Sequence, residues 1–368
     1  LHDHIGRRQR RHGPARDPDG AAHHAEAAVV AIGRALRDLG VQVTVVAPPV
    51  GPVSELARGA ALPVVGPRAT SRREWMATLR RWDARHRPEG SVLWCNGLVP
   101  ALATAGHGNR IVHLHRRPEG LQRVAARFAC MRSIAVLAPS QDMADDIRWA
   151  RALPNWCPPV ASGAKRGRGA QQRPLRVGFL GRLEPEKGVP VLAEAVGMLD
   201  AQRPGSVRLV LGGEARFASQ GQRRAVEAAL APVDALVDRL GWVPKEEFFA
   251  SVDLAVFPSV WPEPFGLVAA EALSARVPCI VSDAGALPEI VGTEHPWIVP
   301  AGDAGALADT IRSVLDAAPA ERQRVVEAGR RRWAAHYSPT AGAHRLAVLL
   351  DDLGIAHEPP PPNPPETS

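Results

Sequence analysis

The sequence predicts a parallel α/β protein built as two doubly wound halves, and three observations carry this. From about residue 21 onward, apolar runs of strand length alternate with helical patterns, as parallel sheets with crossover helices require. The alternation stops across residues 158–174, which fill with Pro, Gly and basic residues as linkers do, and resumes at Leu175. At 368 residues, 45% of them hydrophobic, the chain can bury two cores of ordinary domain size.

In the first half, AEAAVVAIGRALRDLG reads as a helix stopped at Gly40, and VQVTVVAP as a buried strand stopped by Pro48. VLWC followed by NGLVPALATAG repeats the theme. RIVHLH is a strand ending on His115, the stretch from Pro118 to Arg132 is helical, IAVLAPS is a strand and QDMADDIRWA a helix. In the second half the strands are LRVGFL, VRLVLGG, DLAVFPS and VPCIVS, with helices starting at Val189, near Gln220, at Gly266 and at Asp303. RRRWAAHYSPTAGAHRLAVLLDDLG is helical and long enough to cross back onto the first half, and EPPPPNPPETS is a disordered tail. This divides the chain into a first domain over 1–157, a linker over 158–174, a second domain over 175–335, a returning helix over 336–357 and a tail over 358–368.

Composition removes several classes of function. No run of about 18 apolar residues occurs, and the basic, polar N-terminus lacks the apolar stretch of a secretion signal, so a cytoplasmic protein is expected. Cys95, Cys130, Cys157 and Cys279 form no CxxC pair and have no His at zinc spacing, so they read as reduced thiols and no metal is expected. The net charge of +7 invites a nucleic-acid reading. However, the charge gathers at Arg7, Arg8, Arg10, Arg11 and Arg16 and at Lys165, Arg166 and Arg168, with no interleaved aromatics. A solvated tail and a linker explain it, so no nucleic-acid partner is expected, while peripheral membrane contact through basic residues stays open.

Ligands of open α/β domains lie outside the carboxyl ends of the strands, so the loops after strands are where chemistry is sought. After LRVGFL comes GRLEPEKG: Gly181 lets the chain turn closely, and Arg182 and Lys187 supply two cations suited to a diphosphate. Two exposed surface cations are the plainer alternative, although the chain has only Lys165, Lys187 and Lys245 to spend. After DLAVFPS, Pro264 and Gly266 break the strand, and a helix start there turns the N–H groups of Phe265, Gly266 and Leu267 outward as an anion site. Glu263 in the loop and Glu271 in the helix then flank that site. A pyrophosphate nearby disfavours carboxylates unless hydroxyl donors face them, and sugar or ribose hydroxyls are such donors. The turn at Trp242 and Val243 offers a flat wall for a nucleobase, or a Trp packed at a domain edge. His113 and His115 share one strand face; both could be core residues, but His115 stands at the strand end over the cleft.

Taken in order, GRLEPEKG, GWVPKEEFFASVDLAVFPS, EPFGLVAAEAL and SDAGALPEIV resemble the C-terminal half of a family 4 retaining glycosyltransferase of GT-B fold, over about Leu175 to Ala318. The first half is similar more loosely, through DGAAHHAEAAVVAIGRALRDLGVQVTVVAP, NGLVPALATA and VLAPSQDMADDI. The resemblance implies two Rossmann-like domains facing across a cleft, no cofactor or metal, and a UDP- or GDP-sugar as co-substrate. It further implies that Glu271 holds the ribose hydroxyls and Glu263 the donor sugar. Phe265, Gly266 and Leu267 would serve sugar and phosphate, Arg182 and Lys187 the diphosphate, Trp242 and Val243 the base, and His115 the transferred sugar. Anomeric configuration is retained in such enzymes, and the leaving phosphate helps deprotonate the acceptor.

One segment departs from the family. Its members open with an apolar strand and a glycine-rich loop, whereas here only Asp19-Gly20-Ala21 stands for the loop, with Gly20 as its donor-binding residue, and nothing stands for the strand. An Arg-, His- and Pro-rich opening is what out-of-frame translation of GC-rich DNA produces, so residues 1–18 are expected to be atypical. The expected function is transfer of a hexose-type sugar from a nucleotide-sugar to a small-molecule, lipid-linked or glycan hydroxyl. The alternative is a catalytically silent relative that binds nucleotide-sugar or a protein partner.

Overall fold

The computed structural model describes residues 24–161, 174–215 and 218–362. The expectations for residues 1–18 and Gly20, for most of the linker and for the end of the tail lie outside the described residues. The first half runs α1 (His24–Asp38), β1 (Val45–Val46), α2 (Pro52–Gly59), β2 (Val64–Val65), α3 (Arg72–His86), β3 (Leu93–Asn96), α4 (Leu98–Ala103), β4 (Arg110–His113), α5 (Leu121–Ala129), β5 (Ala135–Ala138), α6 (Gln141–Ile147) and β6 (Arg151–Ala152). Its strands form two parallel sheets, β1-β2 and β3-β4-β5-β6. The strand expected over VQVTVVAP pairs only at Val45 and Val46.

Helix α1 ties the two sheets together. Its Ile32, Ala35 and Leu39 pack with Ile111 of β4 and Leu137 of β5, while Val29 and Val30 lean on Val45, Ala57 and Leu62. On the opposite face of the four-stranded sheet, Ala101, Ala129, Met143 and Ile147 pack on Cys95, Val112 and Ala138. Local sequence sets the helix starts: the Ser71 and Ser140 hydroxyls accept from the Glu74 and Met143 N–H groups, satisfying donors that have no partner within the helix.

The second half runs β7 (Leu175–Leu180), α7 (Val189–Gln202), β8 (Val207–Gly212), α8 (Gln220–Leu230), β9 (Val237–Gly241), α9 (Lys245–Ser251), β10 (Leu254–Phe257), α10 (Leu267–Ser274), β11 (Cys279–Ser282), α11 (Leu287–Val291), β12 (Ile298–Val299), α12 (Ala304–Asp316), α13 (Pro319–His336) and α14 (Pro339–Asp352). One parallel sheet has the order β12-β11-β10-β7-β8-β9. Chain order reverses between β7 and β10, which makes the gap beyond their carboxyl ends the switch point where such sheets bind ligands. Each face of the sheet has its own apolar core, one under α7 and α12 and one under α9, α10 and α13. These two cores explain the unbroken burial of LAVF in β10 and CIVS in β11.

The C-terminal helical stretch is two helices, not one. Tyr337 and Ser338 break it, with the Ser338 hydroxyl accepting from the Ala341 N–H and Pro339 at the first helical position. Helix α14 then lies on the first half, where Ala343, Leu346, Ala347 and Leu350 join the α1 core. Gly342 meets the Trp156 ring so closely that an added Cβ would sit 2.3 Å from it.

Candidate active site

The loops after β7 and β10 meet at the switch point through backbone bonds. The Val260 N–H and the Ser259 hydroxyl both donate to the Glu186 carbonyl at 3.0 and 3.1 Å, and the Ser282 hydroxyl donates to the Ser259 carbonyl at 2.6 Å. Two glycines allow this approach. Gly188 has φ +75°, and a Cβ there would lie 1.7 Å from the Pro258 carbonyl oxygen; Gly285 has φ +62°, and its Cβ would lie 2.4 Å from the Glu263 nitrogen. Only a residue without a side chain brings these loops together.

This approach joins two of the residues singled out in the sequence. Lys187 Nζ lies 2.6 Å from Glu263 Oε1, although the two are 76 positions apart. Arg182 Nη1 bonds Glu184 Oε1 at 2.8 Å. Both cations are therefore held at the strand ends by carboxylates. Gly181 donates its N–H to Gly212, fixing the turn that carries Arg182.

Helix α10 starts directly after this pair, with Gly266 in the left-handed region at φ +93°. Phe265 is buried in the apolar core below, and no described backbone acceptor takes the N–H groups of Phe265, Gly266 or Leu267. A helix start with unbonded N–H groups beside Lys187 favours an anion.

Glu271 lies one turn further along and is almost fully buried. Burial pushes its carboxyl above the usual carboxylate range, and Lys245 counters that rise. Lys245 Nζ sits 2.9 Å from Glu271 Oε1, and its ammonium is held above its ordinary value against the desolvating effect of burial, chiefly by the attraction of Glu271. Lys245 is the functional candidate that the sequence did not single out. It stands in the quoted GWVPKEEFF stretch, but nothing in the local pattern points 26 residues ahead to its partner. Trp242 is exposed and Val243 half-buried in the turn between β9 and α9, three and two residues before Lys245.

In the first half, β4 ends at His113, and His115 lies two residues beyond it rather than on it. His115 Nε2 meets Asn96 Oδ1 at 2.6 Å. Because that oxygen only accepts, Nε2 carries the proton and Nδ1 is left as an acceptor. Burial lowers the His115 pKa to about 4, so the ring is neutral near pH 7. His113 packs 4.2 Å from it, fully buried, with neither ring nitrogen hydrogen-bonded to a described residue. No bond links His115 to the second half among the described residues. The two halves are instead joined at this end by Glu289 of α11, whose carboxylate accepts from the Gln141 N–H at 2.9 Å and the Asp142 N–H at 3.2 Å, at the start of α6. Among the described residues, no three His, Cys, Asp or Glu side chains gather to hold a metal ion, and no helix is long and apolar enough to cross a membrane.

Comparison with known proteins fits this geometry. Residues 174–317 match the family described as glycosyl transferases group 1. Glycogen synthase of Mycobacterium tuberculosis is 35% identical over 160 residues, covering 43% of this chain and 38% of that protein. D-inositol 3-phosphate glycosyltransferase of Corynebacterium efficiens is 30% identical over 247 residues, covering 59% and 58%. The chain thus spans between about a third and three fifths of the curated relatives it matches. Among solved structures, Anabaena Alr3699/HepE in complex with UDP-glucose superposes with a TM-score of 0.75 at 20% identity, covering 91% of this chain and 98% of that one. Sucrose-phosphate synthase of Thermosynechococcus elongatus superposes at 0.71 and 21%, covering 88% and 92%. Both halves, in their mutual arrangement, have the GT-B fold.

Proposed function

Because the chain carries a glycosyl transferases group 1 domain within a GT-B frame, we propose that it is a retaining glycosyltransferase moving a hexose-type sugar from a UDP- or GDP-sugar to an acceptor hydroxyl. The observation that carries this reading is the Lys187–Glu263 pair at the sheet's switch point, a few residues before the α10 start, where the N–H groups of Phe265, Gly266 and Leu267 have no backbone acceptor among the described residues. The UDP and UDP-glucose complexes of the structural relative support the class of donor.

In this reading Glu271 accepts from the ribose hydroxyls, with Lys245 keeping its carboxyl ionised in a buried position. Trp242 and Val243 border the base, and Gly181 lets the β7 loop approach the diphosphate. Arg182 and Lys187 neutralise the charge that grows on that diphosphate as the bond to the sugar anomeric carbon breaks. This role for two fixed cations underlies the proposal that transfer proceeds without a metal. The acceptor oxygen bonds the same carbon on the face the diphosphate leaves, and the acceptor proton passes to a diphosphate oxygen, so no carboxylate base is needed. Glu263 accepts from hydroxyls of the sugar in flight, and neutral His115 approaches that sugar from the first half.

Thermal shift across a panel of UDP- and GDP-sugars should raise the melting temperature with one base preferred, and nucleotide release in the presence of that donor should follow. Binding without release would assign the chain to the silent relatives instead. Glu271→Ala should weaken free UDP at least tenfold, whereas Glu263→Ala should spare UDP affinity and lose transfer. Equal loss of UDP binding in both variants would sink the separate roles.

A further inference from the structure

Helix α5 carries an apolar stripe on its outer side that nothing in the proposed reaction uses. Its inner side is small and buried, at Ala126 and Ala129. Its outer side presents Leu121, Val124 and Phe128 at 89%, 67% and 57% exposure, and Met131, just past the helix end, follows at 55%. Steps of three, four and three residues put these four side chains in one line along the helix. Ile134 and Trp149 are exposed as well, Trp149 lying under Arg127 of α5, so six of the fourteen large exposed hydrophobics among the described residues fall within residues 121–149. Single exposed hydrophobics are ordinary, whereas a contiguous stripe of this kind marks a docking surface.

Charge around the stripe identifies the partner. Arg117 and Arg123 are neutralised by Asp142 and Asp146. Arg116, Arg127, Arg132 and Arg148 are exposed, and none forms an ion pair with a described carboxylate. The Arg127 guanidinium lies over the Trp149 ring at 5.3 Å, an arrangement with an apolar body and a cationic tip.

We propose that the outer face of α5, with Met131, Trp149 and the unpaired arginines beside it, docks onto an anionic lipid surface. The apolar stripe enters the acyl boundary while the guanidiniums take lipid phosphates. Seated this way, α5 holds the segment leaving β4 at the membrane, and Leu121 lies only six residues beyond His115. The cleft would then open toward a hydroxyl carried at the lipid surface. The surface itself stands apart from the donor reading, since it involves none of the residues assigned to the nucleotide.

Co-sedimentation of the full chain with vesicles tests this. Binding to phosphatidylcholine vesicles containing phosphatidylglycerol should exceed binding to phosphatidylcholine alone by at least about tenfold and weaken as salt rises. Leu121→Ser with Phe128→Ser should lose about tenfold or more of that binding while keeping the wild-type melting temperature and any UDP-induced shift, because both side chains are solvent-facing. Arg127→Glu with Arg132→Glu should abolish the preference for anionic lipid. The proposal is overturned by equal binding to both vesicle types, by no binding to either, or by an unaffected double-Ser variant. A wild-type dimer that the double-Ser change turns into a monomer, with no vesicle binding, would overturn it too and give the face to a second copy of the chain.

Discussion

At the scale of single residues, the site rests on charges whose neighbours lie far away in sequence. Glu271 is the clearest case: it is buried, its carboxyl is pushed up by desolvation, and the Lys245 ammonium lowers it again. Glu246 adds a small opposing charge, and the buried Cys157 thiol nearby is itself raised to about 12. Lys245→Met should therefore move the acid limit of UDP binding to higher pH and weaken UDP near neutrality, while Lys245→Arg restores most of the affinity. Isothermal titration from pH 5.5 to 8 reads both, and an unchanged pH profile would remove Lys245 from the site. His115 gives the second prediction. Its folded pKa of about 4 lies below that of an unfolded His at about 6.5, so the unfolded chain binds more protons below pH 6.5 and stability falls as pH drops. The loss from this group is about 2 kcal/mol at pH 5, and His115→Gln should flatten the acid slope of the melting temperature without removing it, since buried His113 contributes in the same direction. Glu263, Glu271 and the glycine turn could be singled out as candidates because each lies in a short motif, and the fold brings Lys187 of that turn to Glu263; His115, expected to end a strand, lies two residues past it. Lys245 was not, because its pairing exists only once α9 and α10 fold side by side.

Elements were legible where their own sequence determines them. Helices α7, α8, α10 and α12 start where Gly, Ser or Asp caps stand, and the buried strands of the second sheet read as continuous apolar runs. Strand β1 was read over too long a span and β2 was missed, since two paired residues each leave no periodicity. Strand β9 was hidden for another reason: VDRLG is polar because it is an edge strand, and its Asp238 is bracketed by Arg176 of β7 and Arg208 of β8. Two substitutions test how tightly backbone conformation is set at element ends. Gly188→Ala meets both a positive φ and the Pro258 carbonyl, so it should cost well over the ~1–2 kcal/mol of the left-handed conformation alone and lower UDP affinity with it. Arg276, just after α10, holds φ +54° without being glycine, and its only ion pair among the described residues, to Glu327 at 3.5 Å, is exposed. Arg276→Gly should thus raise stability by up to about 1 kcal/mol in urea unfolding, because a surface pair of that kind is worth less.

Across the whole molecule, the two-domain plan was visible from the break in alternation and the returning C-terminal segment, but how the halves touch was not. Glu289 sits in the quoted SDAGALPEIV motif, yet its carboxylate reaches the start of α6 in the other half. Its own carbonyl accepts from Arg332 and from the Tyr337 hydroxyl, so the contact is braced from behind. Glu289→Gln should weaken closure, seen as faster amide exchange at Gln141 and Asp142 and a larger radius of gyration by solution scattering. An exchange rate equal to wild type would show that the latch carries no load.

The chain passes between its halves at two places, and they adjoin. Trp156 packs in the first-half core and Cys157 in the second, while α13 gives way to α14 at Tyr337 and Ser338; the Cys157 N–H donates to the Tyr337 carbonyl at 3.0 Å. Two crossings stitched together at one spot form a pivot. Were the cleft to open, this bond would lie at the fulcrum, and the opening would be a rotation of one half against the other rather than a separation.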